Sequence, residues 1–147
     1  MNLARMLMLL LAVPVAVLAQ EARPVVIRPD TLKWVEVSNV PGAQTMALVG
    51  RGEANGVYAA RVRLQRGTKG PPHTHPDTRY TQVFSGTLYV GFGKVFDESK
   101  LVAVPAGTLY VAPARQPHFF WARDGEVIYQ ESGTNPTATD FIQARSP

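Results

Sequence analysis

GTKGPPHTHPDTRYTQVFSG, residues 67–86, carries two of the chain's three histidines, His73 and His75. They stand two positions apart, between a Gly- and Pro-rich segment and an alternating apolar one. Successive side chains of a strand point to opposite faces, so rings at i and i+2 share a face. Two neutral imidazoles on one face can bind one metal ion. Taken alone, the pair fits two surface histidines equally well. Gly67 to Pro72 reads as a loop, Tyr80–Phe84 and Thr87–Phe92 as strands, and Ser85-Gly86 between them as a hairpin turn.

The same punctuation continues on both sides. Val57–Leu64 alternates, with Tyr58, Ala60, Val62 and Leu64 on one face and Arg61 and Arg63 on the other, the pattern of a half-buried strand. Val25–Arg28, Leu32–Val37, Thr45–Val49, Leu109–Ala112, Pro117–Ala122 and Val127–Glu131 are further short strands. Asp124-Gly125 gives a second hairpin signal. Asp97–Leu101 is the one helical turn, with Asp97 as its cap. After Ser132 the chain turns polar and reads as a surface tail, with Phe141 and Ile142 docking it as a last short strand. Many strands, frequent Gly and Pro and no long helical period predict a single all-β domain, a sandwich or barrel.

The third histidine lies in a second segment, Gly107-(Thr108 to Ala112)-Pro113-Ala114-Arg115-Gln116-Pro117-His118-(Phe119 to Trp121)-Ala122. This has the spacing G-x5-P-x-G-x2-H-x3-N, with Arg115 standing for the glycine and Ala122 for the asparagine. The first segment has the spacing G-x5-H-x-H-x3,4-E-x6-G, with Arg79 standing for the glutamate. In both, the chain resembles the cupin superfamily. The resemblance implies a cupin-type β-barrel, a double-stranded jelly roll whose closure leaves few strand edges exposed. It also implies that His73, His75 and His118 are ligands of one divalent metal ion. No histidine of the chain is left over.

The arginine at the glutamate position is the main departure. A carboxylate there would offset the metal's charge, whereas an inward cation needs a partner. Arg79 therefore either turns outward or points in to hold an anionic group, with Asp77 as a candidate partner. Tyr80 and Gln82 could supply a neutral oxygen, although alternation puts them opposite position 79. Phe120 shares a strand face with His118 and is a candidate pocket wall; Tyr129 and Gln130 are candidates for substrate contact. Core packing accounts better for most of Phe84, Tyr89, Phe92, Tyr110, Phe119 and Trp121. Glu131, Tyr80 and Tyr129 are the candidate bases.

Composition narrows the rest. The chain has 147 residues, no cysteine and a formal charge of +4. Residues 1–19 combine Arg5 with an apolar run that Pro14 interrupts and that ends in Val17-Leu18-Ala19, the pattern of a cleaved secretory signal rather than of a membrane span. The expected organisation is a signal peptide at 1–19 and a cupin domain at 20–147, exported to the periplasm or secreted. Fourteen basic and eleven acidic residues then remain, a charge of +3 that is scattered without interleaved aromatics, which excludes a nucleic-acid surface. Without cysteine, thiol chemistry and thiolate-bound zinc are excluded.

An open three-histidine centre accepts Fe, Zn, Ni or Mn. The expected activity is that of an oxygenase, isomerase or lyase on a small organic molecule. A non-catalytic metal-binding or ligand-sensing module is the alternative, since fold alone does not imply activity. A third expectation is a homodimer paired through the N-terminal strands.

Overall fold

The computed structural model describes residues 24–143. The expected signal peptide lies outside the described residues. Eleven strands form: β1 (Val35–Glu36), β2 (Ala43–Val49), β3 (Val57–Leu64), β4 (Lys69–Thr74), β5 (Arg79–Ser85), β6 (Thr87–Phe92), β7 (Val102–Pro105), β8 (Leu109–Ala112), β9 (His118–Trp121), β10 (Val127–Thr134) and β11 (Asp140–Phe141). They build two antiparallel sheets in the orders β1-β2-β3-β10-β5-β8 and β11-β4-β9-β6-β7. This is the expected all-β jelly roll. The helical turn also forms, over Glu98–Lys100, with Asp97 accepting from the Ser99 backbone N–H.

Strand alternation drives the closure. On β3, Tyr58, Ala60, Val62 and Leu64 are buried as their spacing predicts. On the other face Arg63 covers the Trp34 ring and Arg61 covers Phe84. The two inner faces meet in a core of Val62, Leu64, Val83, Leu88, Val90, Val104 and Val127. Each such side chain, when fully buried, contributes about 1.5–3 kcal/mol.

The structure corrects several local readings. Val25–Arg28 forms no strand and is exposed, and only Val35–Glu36 of the expected Leu32–Val37 strand pairs. Gly67 to Pro72 is not all loop, because β4 starts at Lys69. Pro71 and Pro72 fall at the register shift between Gly70 and His73, where the ladder is interrupted and their missing N–H groups cost nothing. Neither Gly-containing turn closes a hairpin. Ser85-Gly86 carries the chain from β5 in one sheet to β6 in the other, and Asp124-Gly125 does the same between β9 and β10. The two corners pack together. Gly86 has φ 75°, and a Cβ there would lie 2.3 Å from the Glu126 carbonyl oxygen. β10 runs past Glu131 to Thr134, and β7 is an additional strand, paired with β6. Among the described residues, no helix is long and apolar enough to cross a membrane.

Candidate metal centre

The pairing of β4 with β9 sets His73 directly opposite His118. His75 follows immediately after β4, on the same side of the chain as His73. The three rings lie with centroids 4.3–5.0 Å apart. One ligand atom from each falls within 4.8 Å of the others, and all three side chains are buried. Gly70 permits this packing. It pairs with Phe120, and a Cβ on it would lie 2.2 Å from the Phe120 ring. Phe120 therefore leans across bare backbone and meets the His73 ring edge-on at 5.8 Å.

Each histidine is oriented through its Nδ1. The Nδ1–H of His73 donates to the Pro71 carbonyl at 2.7 Å, that of His75 to Ala138 at 2.8 Å, and that of His118 to Gln116 at 3.0 Å. A carbonyl can only accept, so the proton sits on Nδ1 and the Nε2 lone pair is free in all three. Burial opposes the cationic forms. It pushes His73 down to about 4 and His75 to about 2, and lowers His118 as well. Three neutral imidazoles, each fixed by a backbone carbonyl, fit the requirements of a metal-ligand set.

Arg79 points inward. Its Nη1 donates to both Glu131 carboxylate oxygens at 3.0 Å, and its Nη2 to Thr137 Oγ1 and the Ala138 carbonyl, each at 3.0 Å. Glu131 is thus the main partner. Asp77 approaches Nε only to 4.0 Å and instead accepts from Tyr58 at 2.9 Å and Thr137 at 2.7 Å. Burial works against the guanidinium charge, but Glu131, Tyr58 and Asp77 outweigh it and hold the pKa above its ordinary value. Glu131 faces the cavity but is not one of the clustered ligand groups.

A cavity of about 320 Å³ opens beside the histidines, with Val40, Val62, Leu64, Phe120, Tyr129 and Phe141 among its walls. Of the other sequence candidates, Phe120, Tyr129 and Arg79 line it. Tyr80 and Gln82 do not: both are exposed on the outer face of β5. Burial raises Tyr129 well above the usual phenol range, so it faces the cavity as a protonated hydroxyl. Phe84 and Phe92 are not core residues, being 49% and 41% exposed. Phe119 packs away from the cavity against Phe96.

Sequence reasoning missed four contributors. Arg51 on the β2–β3 loop and Thr81 on β5 line the cavity, as does Thr139. Ala138 holds both His75 and Arg79 through one carbonyl. Thr81 was legible, since it lies two residues beyond Arg79 on one strand. The tail was not, apart from Phe141, which pairs with His73 through β11.

Two histidines on one strand segment and a third on its neighbour, inside a jelly roll, fulfil both halves of the motif pattern. Residues 22–134 match the ChrR cupin-like domain. The chain belongs to the cupin family. Germin-like protein 12-1 of Oryza sativa subsp. japonica is 38% identical to this cupin over 125 residues, 78% of the chain and 54% of the rice protein. The chain thus spans about half the length of that relative. The polyketide cyclase RemF from Streptomyces resistomycificus superposes with a TM-score of 0.69 over 84% of this chain and 89% of its own, at 13% identity, a likeness of fold alone. An oxalate oxidase superposes at 0.54 with 27% identity, over 72% of this chain and 57% of its own.

Proposed function

We propose that this cupin binds one divalent metal ion through the Nε2 atoms of His73, His75 and His118 and acts on a small organic molecule in the adjoining cavity. The observation that carries this reading is the set of three Nδ1–carbonyl hydrogen bonds. They leave three lone pairs on buried side chains, converging from neighbouring segments with no proton to displace. Fe, Zn, Ni and Mn all suit nitrogen donors. When bound, such an ion supplies a Lewis-acid centre with open positions for a ligand oxygen, water or dioxygen.

The protein's part follows from its own residues. Pro71, Gln116 and Ala138 fix the imidazole orientations through their carbonyls. Phe120 and the aliphatic walls keep water from the ligand's apolar body. Tyr129 presents a hydroxyl that stays protonated. Arg79 holds Glu131, so the carboxylate remains apart from the triad and the ligand set stays neutral. An oxygenase, isomerase or lyase is the favoured class, and the likeness to an oxalate oxidase, itself an enzyme, supports turnover over binding alone. The anchoring of Arg79 and Glu131 to each other favours the second reading, a binding or sensing module without turnover, because it occupies the one carboxylate that lines the cavity among the described residues.

Elemental analysis of the purified protein tests the metal. About one equivalent of Fe, Zn, Ni or Mn is expected in the wild type and well under a tenth of that in His118→Ala; a variant that keeps its metal refutes the ligand set. Dioxygen uptake with phenolic or diketone compounds separates the oxygenase from the binder. The same reading places the cupin domain at 20–147 behind a cleaved signal and outside the cytoplasm, so the protein from its native host should begin at Gln20.

A further inference from the structure

We propose that Arg51 is an anion anchor of the cavity, and that the ligand carries a carboxylate seated on Arg51 while a second oxygen donor faces the histidines. The second half rests on the metal reading above; the first does not.

Among the described residues, three that carry formal charge line the cavity: Arg51, Arg79 and Glu131. Arg79 and Glu131 neutralise each other at 3.0 Å. Arg51 has no such partner, since among the described residues no carboxylate lies within 4.0 Å of its guanidinium. Among the described residues its one side-chain hydrogen bond runs from Nη1 to Thr45 Oγ1 at 2.7 Å. Thr45 lines the same cavity, so the contact tethers the fork at the cavity wall without using its charge. A guanidinium offers five N–H donors in a planar fork that matches a carboxylate edge-on.

The charge balance selects the ligand. Two guanidiniums against one carboxylate leave the lining at +1, and the neutral imidazoles add nothing. A divalent ion raises this to +3. Water answers the charge of Arg51 while the cavity is empty, and a ligand that displaces that water must offset the charge itself. The aliphatic and aromatic walls accept an apolar body, and Arg51 is exposed, which puts it at the solvent side. A monocarboxylate with a short apolar body and a distal oxygen fits this distribution, whereas a neutral ligand leaves Arg51 unanswered.

Calorimetry on the full chain loaded with Co(II) tests this with 5-hydroxypentanoate, 6-hydroxyhexanoate and 7-hydroxyheptanoate, each beside its primary amide, which keeps the distal oxygen and removes the carboxylate. The series allows for the span between Arg51 and the triad. The hydroxy acid of best-fitting length should bind about tenfold tighter than its amide, the factor expected for one charge-assisted hydrogen-bonded pair. Arg51→Gln should reduce that preference below twofold, with the Co(II) absorption change on binding intact. Arg51→Lys, which keeps the charge but not the fork, should retain part of it. The proposal is overturned if no length discriminates, or if Arg51→Gln keeps the preference. Should Co(II) not be taken up, the metal reading falls, and hexanoate against hexanamide on the metal-free protein, with and without Arg51, still decides the anchor.

Discussion

The Arg79–Glu131 pair should behave as one unit in a double-mutant cycle of Arg79→Met, Glu131→Leu and the two combined. Both side chains are nearly enclosed, at 8% and 12% exposure, so solvent screening is weak. Removing one partner of a buried pair costs about 3–5 kcal/mol, chiefly because the survivor is left charged in an apolar setting. Glu131→Leu belongs at the lower end, about 3 kcal/mol, because Asp77 lies 4.0 Å from Arg79 Nε and takes up part of the charge. Arg79→Met should cost about as much, since Glu131 has no other side-chain hydrogen bond among the described residues and Thr137 loses a donor. The double variant replaces both by apolar groups of similar volume and should cost no more than about 2 kcal/mol, a coupling of about 4 kcal/mol. Guanidinium denaturation of the metal-free protein measures this, and each single variant should melt about 6–12 °C below wild type. Costs that add within about 0.5 kcal/mol would refute the reasoning, because they would mean that neither charge depends on the other.

Three further outcomes are expected. The metal-free fold should lose stability on acidification: the unfolded chain binds protons near 6.5, while His73 and His75 are held at about 4 and about 2 in the fold. Stability is therefore full above pH 6.5 and falls as the pH drops toward 4, with a slope approaching about 1.4 kcal/mol per pH unit for each histidine, and a flat profile between pH 7 and 5 in denaturant titrations contradicts it. Gly70→Ala should cost about 1–3 kcal/mol and weaken metal uptake together, because its Cβ displaces the Phe120 ring that packs on His73; a thermal melt with metal titration reads both. Arg115→Gly should raise the melting temperature by a few degrees. Arg115 holds φ 60° at an exposed turn, and relieving about 1–2 kcal/mol of left-handed strain outweighs the roughly 0.5–1 kcal/mol of entropy that glycine adds.

The histidines were legible because two simple rules agreed on them: strand alternation and the cupin spacing. Alternation also contained the answer for Arg79. Positions 73, 75, 77, 79, 81 and 83 are all buried, so the parity of His73 persists across the turn at 76–78. What local reasoning could not supply was the partner, because Glu131 lies 52 residues further along and reaches Arg79 only through the β5–β10 register. The two false hairpins have the same origin. Ser-Gly and Asp-Gly satisfy the backbone of a sheet-to-sheet corner as well as that of a two-residue turn, and only long-range pairing tells them apart. Prolines misled in the opposite direction, since a bulge in β4 accommodates the two residues that made the segment look like a loop.

The Ala138 carbonyl serves both His75 and Arg79, and this makes the tail a spacer gauged by length rather than by side chain. Any L-residue at 138 that keeps the backbone path offers the same oxygen, so substitution there should be nearly silent. Deleting one residue between β10 and β11 would withdraw that oxygen from the His75 ring and from a buried cation at once. The brace also falls beyond residue 134, where the match to the ChrR cupin-like domain ends. In this chain the triad and the oxygen that steadies it thus belong to separate stretches, and the spacing between the last long strand and the Phe141-Ile142 pair is the quantity that couples them.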